Sequence, residues 1–276
     1  MKFRTCAIAI LMTVITLQSH ADILITPIRV VFGAKDRVQE VIIVNTANES
    51  RTYALSWVEM TQLDRIGYSV LDTNEAATFA KASDFIRFTP RRITLQPGEN
   101  QRVKLMLRRT SDSQNQDYRS HLKFTVIPNS VLQDNLNNEN NSAKGPSIKL
   151  NLFLNYSIPI IIKNESSVQN VTFSNLAFAR KSASSSKPAL TFALNKTSPG
   201  SSFGDITLLF RALNSDDFLP VGYSNNVQVH HETTILNGQI SWSESIAVQP
   251  GELKVIYKGK QETVDTIYDE ASLQIK

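Results

Sequence analysis

Residues 148 to 163 read IKLNLFLNYSIPIIIK, and every even position from Ile148 to Ile162 is apolar. The odd positions are mostly polar, with Phe153 and Ile161 the exceptions. Side chains that alternate at period two belong to a β-strand, because successive Cβ atoms leave opposite faces. This pattern runs for sixteen residues, where an ordinary strand has about five or six. It also carries Pro159, whose missing N–H only an edge or a bulge tolerates. The stretch therefore calls for a long, apolar strand with one open edge. The segment before it, 129–147, is rich in asparagine and has no aromatic residue. It reads as a loop of the long kind that often carries function.

The rest of the chain is strand-like too. ILITPIRVVF, RVQEVIIVN, TYALSWVEM, GYSVLD, ITLQPG, QRVKLMLRR and HLKFTVIP are short β-rich segments separated by turn clusters such as NTANES and QPGEN. A second series follows Lys163: VTFSNL, ALTFALNKT, DITLLFRAL, NVQVHHETT, QISWSES, ELKVIYKG and SLQIK. Short spaced strands with turn signals predict β-sandwiches. KNESS breaks the apolar rhythm near 163–168, which predicts two all-β domains, 22–165 and 166–276. LQPGEN at 95–100 has an echo in VQPGEL at 248–253, and both suit a type II turn with proline followed by glycine. EAATFAKASDF is the one stretch that could form a helical turn or two.

The first twenty-one residues read as an export leader. Lys2 and Arg4 precede the apolar run CAIAILMTVITL, and Ser19-His20-Ala21 offers small residues for cleavage before Asp22. The single cysteine, Cys6, lies in that leader, so the exported chain would hold no disulfide, zinc–thiolate site or cysteine nucleophile. Without Lys2 and Arg4 the charge falls from +4 to +2, 27 basic residues against 25 acidic. Near-neutrality gives no reason to expect a nucleic-acid partner, and no basic stripe interleaved with aromatics occurs.

Catalytic constellations are sparse. His230 and His231 are adjacent on an expected strand, where they would point to opposite faces and could not share one metal. His121 alternates with Leu122 and Phe124, which turns it to solvent or a domain cleft. Asp216-Asp217 reads as a turn. HExxH, CxxC and glycine-rich phosphate motifs are missing from the sequence. The expectation is a binding protein without cofactor or metal rather than an enzyme.

ITPIRVVFG, VNTANESRTYALSWVEM, FTPRRITLQPGENQRVKLMLRR and DYRSHLKFTVIP, followed by the long alternating strand, together resemble the periplasmic chaperones of the chaperone–usher pathway. The likeness covers essentially the whole chain after the leader, and PRRITLQPGENQ with YRSHLKF is most similar to the archaic branch. It implies two immunoglobulin-like domains in an L-shaped arrangement, a periplasmic location, a one-to-one complex with a pilus subunit, and an outer-membrane usher as second partner. In that family an edge strand of the first domain completes a subunit sandwich that lacks its last strand, pressing alternate aliphatic side chains into the open core. The donor strand maps onto residues 148–156, with Ile148, Leu150, Leu152 and Leu154 facing the subunit and Tyr156 at the transition. From Tyr156 to Ile162 the even positions would then turn toward the chaperone's own core or the hinge. Burying four such aliphatics would contribute about 6–12 kcal/mol gross, at ~1.5–3 kcal/mol each. An edge this apolar is also a self-association surface for the free chain.

The family also anchors the subunit's C-terminal carboxylate between the domains with an arginine on the first strand and a lysine on the donor strand. The arginine maps onto Arg29. The lysine position aligns with Pro159, which offers no charge. Parity then makes Arg91 the leading replacement, since it shares an apolar face with Ile93 and Leu95, with a salt bridge fixing the angle between the domains as its equal alternative; Arg119, Arg92 and Lys163 follow. The competing class is a pilus subunit or surface adhesin of Ig-like domains. Against it, DILITPIRVV already reads as a structured strand where a subunit would carry a disordered extension.

Overall fold

The structure, a computed structural model, describes residues 23–108, 116–128, 154–164, 169–180, 187–243 and 246–276. In the first half the chain forms β1 (Ile23–Thr26), β2 (Val30–Phe32), β3 (Val38–Asn45), β4 (Arg51–Val58), β5 (Met60–Gln62) and β6 (Tyr68–Val70). Helix α1 (Thr73–Thr78) then leads to β7 (Ile86–Thr89), β8 (Arg92–Leu95), β9 (Asn100–Leu107), β10 (Tyr118–Ile127) and β11 (Asn155–Ile162). One sheet runs β1-β3-β9-β7 and the other β2-β11-β10-β4-β8. Val41, Ile43, Phe88 and Leu105 from the first sheet pack with Tyr53, Leu55, Phe124, Ile158 and Ile160 from the second in one buried cluster. Two sheets sharing a core in this way are a β-sandwich.

The second half repeats the principle with β12 (Val171–Ala179), β13 (Ala189–Lys196), β14 (Ser202–Ala212), β15 (Leu219–Val229), β16 (Ile235–Ser241), β17 (Gly251–Gly259) and β18 (Ile267–Ile275). Its sheets run β12-β13-β16 and β15-β14-β17-β18. They enclose a separate core that includes Leu190, Phe192, Ile206, Leu208, Phe210, Trp242, Val255 and Tyr257. The all-β, two-sandwich class expected from the sequence is the one observed.

Several details depart from the one-dimensional pattern. ILITPIRVVF is two strands rather than one: β1 pairs with β3, β2 pairs with β11, and the chain changes sheets across Pro27, Ile28 and Arg29. Proline suits that break because it has no N–H to give to a ladder. The helical turn expected in EAATFAKASDF is α1, capped by Asp72, which accepts from the Asn74 and Glu75 N–H groups while the Glu75 carboxylate accepts from Asp72 N–H.

The two QPG motifs differ in structure. In the first, Gly98 has φ 75° and Glu99 N–H donates to the Gln96 carbonyl at 3.0 Å, a type II turn. The second is no such turn, because Gly251 already lies in β17 beside β14. There glycine is required by close packing: a Cβ would meet the Arg211 carbonyl oxygen at 2.3 Å and the Phe210 ring at 2.7 Å. Gly251→Ala is therefore expected to lower stability by about 1–3 kcal/mol, the usual cost of overpacking. Chemical denaturation would measure it, and a loss below about 0.5 kcal/mol would show that β14 moves aside freely.

Candidate functional site

β11 is antiparallel to β10 along its whole length but pairs with β2 only at Ile160, Ile161 and Ile162. Among the described residues, nothing pairs with its other edge from Asn155 to Pro159. Pro159 sits just before the β2 pairing begins, opposite His121, so no strand on that side requires its N–H. Ile158, Ile160 and Ile162 are buried in the first core, and Tyr156 packs partly against it. Leu154, one residue before the strand, is 51% exposed. Ile148, Leu150 and Leu152 lie outside the described residues.

At the other end β11 runs into a cleft of about 570 Å³. Arg29 and Lys163 both line it, with Asp36, Asn164, Gln261 and Glu262 among their neighbours. Arg29 is buried rather than a surface charge on a strand, because the sheet change places it at the junction with the second sandwich. Its Nη1 and Nη2 donate to the two Glu262 carboxylate oxygens at 3.0 and 2.6 Å, and Nη1 also donates to Gln261 Oε1 at 3.3 Å. The guanidinium carbon lies 4.3 Å from the Phe203 ring centre. Lys163 follows β11 directly and its Nζ donates to the Ser201 carbonyl at 2.9 Å. Burial pulls the Lys163 ammonium below its ordinary value, and the charges of Asp117 and Glu262 act against that.

The structure thus brings Lys163, not Arg91, to Arg29. Arg91 is exposed, with its guanidinium 5.5 Å from the Phe88 ring centre. Parity fails for it because β8 begins at Arg92, so Arg91 belongs to the crossover between the two sheets. Lys163 lies four residues beyond Pro159 and keeps the same parity. Glu262, Phe203 and Ser201 come from elements far along the chain, and no sequence signal near Arg29 points to them.

A second cluster joins the sandwiches at the outer face of the β11-bearing sheet. Arg119, fully buried, forms an ion pair with Glu232 and donates to the Met60 carbonyl at 2.8 Å and to a ring nitrogen of His121 at 3.1 Å. The rings of Tyr68 and Phe79 lie 5.5 and 5.6 Å from its guanidinium carbon. The hairpin of β5 and β6 reaches across as well. Gln62 accepts from His230 N–H and Thr233 Oγ1 and donates to the Gln228 carbonyl, while the Asp64 carbonyl accepts from Asn237 N–H. Tyr68 Oη is 2.9 Å from His230 Nε2.

His230 and His231 lie just past β15, His230 buried and the His231 side chain largely covered at this seam, rather than pointing to opposite faces of a strand. Burial and the Arg119 charge lower His121 to about 3. The same causes hold His230 well below its ordinary value, and burial lowers His231 although Glu232 opposes it. Among the described residues no group of three or more His, Cys, Asp or Glu is arranged to hold a metal ion.

The site combines an open strand edge, an exposed aliphatic side chain at its end, and a cleft with two cations. Such a surface can take an extended chain by backbone pairing and an anion at its terminus. No protein-family model and no curated protein matches this sequence. Among solved structures the chain is similar to the YadV chaperone, at 12% identity, covering 92% of this chain and 100% of that one, with a TM-score of 0.45. It is similar to a chain of the Salmonella enterica SafA pilin–SafB chaperone complex, at 8% identity, covering 92% and 96%, TM-score 0.45. A third is a chain of the CsuC–CsuE chaperone–tip adhesion subunit pre-assembly complex from the archaic chaperone-usher Csu pili of Acinetobacter baumannii, at 13% identity, covering 79% and 90%, TM-score 0.40.

Proposed function

We propose that this protein is a periplasmic, non-catalytic chaperone that binds a pilus subunit one-to-one by lending it a strand, then delivers it to an outer-membrane usher. The observation that carries the reading is the open edge of β11, which begins beside exposed Leu154 and ends at the cleft holding Arg29 and Lys163. A subunit lacking its last strand would pair its backbone along Asn155 to Pro159 and onward through the alternating residues 148–154. Leu154, with Leu152, Leu150 and Ile148, would enter its core. Its terminal carboxylate would reach Arg29 and Lys163, where a guanidinium fork and an ammonium suit it.

The double variant Leu152→Asp/Leu154→Asp tests this. Each aspartate would have to enter an apolar groove, so the cost includes the lost aliphatic burial, about 1.5–3 kcal/mol per side chain, and carboxylate desolvation on top. Recovery of the one-to-one complex from periplasmic extract should fall below a hundredth of wild type, while the melting temperature of the free protein stays the same. Undiminished recovery would refute strand donation from this segment.

A further inference from the structure

Glu262 occupies Arg29 in a way that bears on what the cleft admits. The carboxylate takes both Nη atoms of the guanidinium in a fork, at 2.6 and 3.0 Å, the geometry that a peptide's terminal carboxylate would use. Glu262 is not on a loose loop. It lies in the short turn Gln261–Thr263, which Gln261 enters in the left-handed region at φ 56°. Thr263 Oγ1 donates to the Phe203 carbonyl, Tyr268 Oη donates to Thr263 Oγ1, and Lys260 N–H donates to the Phe203 carbonyl. Gly259 lets the turn close down, since a Cβ there would fall 2.0 Å from the Thr263 carbonyl oxygen.

Charge sharpens the point. The cations lining the cleft, Arg29 and Lys163, are matched by the carboxylates of Asp36 and Glu262. Burial pushes the Glu262 carboxyl up, but Arg29's hydrogen bonds and charge outweigh that and hold it below the ordinary range, so it is ionised at neutral pH. A third carboxylate arriving in the cleft would leave it net negative and would find Arg29 already forked.

We propose, on the reading that Arg29 anchors a subunit's terminal carboxylate, that Glu262 is a stand-in carboxylate which the incoming terminus must displace, and so determines specificity. Exchange of one carboxylate for another on the same fork gains little by itself. A free carboxylate in solution is therefore turned away. A terminus already tethered by pairing along β11 arrives at high effective concentration and can complete the exchange.

The probe is an N-acetylated valine tripeptide with a free C-terminal carboxylate, with its C-terminal amide as control, titrated into the full chain. The readouts are the NMR signals of Arg29 Nε–H and the Glu262 side-chain carboxyl carbon. In the unaltered protein at high probe concentration both signals should move together with the acid and neither with the amide. Glu262→Gln, which keeps the size and removes the charge, should bind the acid about tenfold more tightly or better, the scale of one charged hydrogen bond. If the Arg29 signal responds but Glu262→Gln binds no more tightly, Glu262 is only a brace and the inference fails while the anchor stands. If Arg29 ignores the acid in both proteins, the anchor itself fails. Should Glu262→Gln melt far below wild type, the Glu262 carbon in the unaltered protein decides. Movement with Arg29 supports displacement, and a still carbon beside a moving Arg29 overturns it.

Discussion

Replacing Arg119 with alanine is expected to destabilise the protein by about 3–5 kcal/mol, the cost of leaving one member of a buried ion pair without its partner. Arg119 is fully buried and Glu232 is 14% exposed at the side chain, so water can scarcely replace the lost guanidinium. The loss extends beyond one pair. The Met60 carbonyl and a His121 ring nitrogen lose a donor, and Tyr68 and Phe79 lose the cation their rings enclose. Arg119→Lys is expected to recover only part of the loss, because an ammonium cannot reach Glu232, Met60 and His121 together as a planar fork does. Denaturant titration of the three proteins measures the effect. A cost under about 1 kcal/mol for Arg119→Ala would mean that the seam re-forms around water.

The second large effect is a loss of stability in mild acid. His121 titrates at about 3 and His230 well below its ordinary value in the folded protein, whereas an unfolded chain protonates histidine near 6.5. Between those limits the unfolded state binds more protons, so stability is present above pH ~6.5 and falls as pH decreases through the window below it. Each histidine that stays neutral contributes a slope of about 1.4 kcal/mol per pH unit. His121 by itself would remove about 2 kcal/mol between pH 6 and 4.5, and His230 acts in the same direction. The charges around them act in both directions. Arg119 and Arg29 oppose protonation of His230, while Glu232 and Asp117 favour protonation of His231 and Lys196 opposes it. Unfolding free energies measured at intervals from pH 7 to 4.5 would show the slope. His121→Asn should flatten it by about one histidine's share, and an unchanged slope would remove His121 from the account.

Much of the architecture was legible in one dimension because it depends on local periodicity. Val41, Ile43, Val103, Leu105, Phe124 and Val126 sit at alternating positions of their strands and are buried on inner faces. The long stretch is divided too, although alternation alone puts all its even positions on one face and only the resemblance implied a division. Ile158, Ile160 and Ile162 belong to the protein's own core, and Leu154 is exposed. The Pro97-Gly98 turn was readable because a type II turn is specified by two adjacent residues. Gly251 was not, since its need for hydrogen in place of a side chain is set by Arg211 and Phe210 on a neighbouring strand.

The Arg29–Lys163 cleft and the seam lie beyond what periodicity can report. Along β10, residues 118 to 122 are all buried, and only from Lys123 onward does the strand alternate. Arg119, His121, Lys123 and Thr125 share one parity and one face, and the sequence assigns that face to solvent or a cleft. The first two are buried because the β5–β6 hairpin and the second sandwich cover that end of the sheet. Arg29 and Lys163 meet for the same reason: one follows a change of sheet, the other ends β11, and residues 201 to 263 of the other sandwich complete their surroundings. The sequence alone determined that this protein is two β-sandwiches with a long alternating apolar segment at 148–162. The tertiary structure alone decided which cations share a cleft and what already occupies them, because a strand's periodicity reports which face a residue takes, and only the packing of a second domain decides what covers that face.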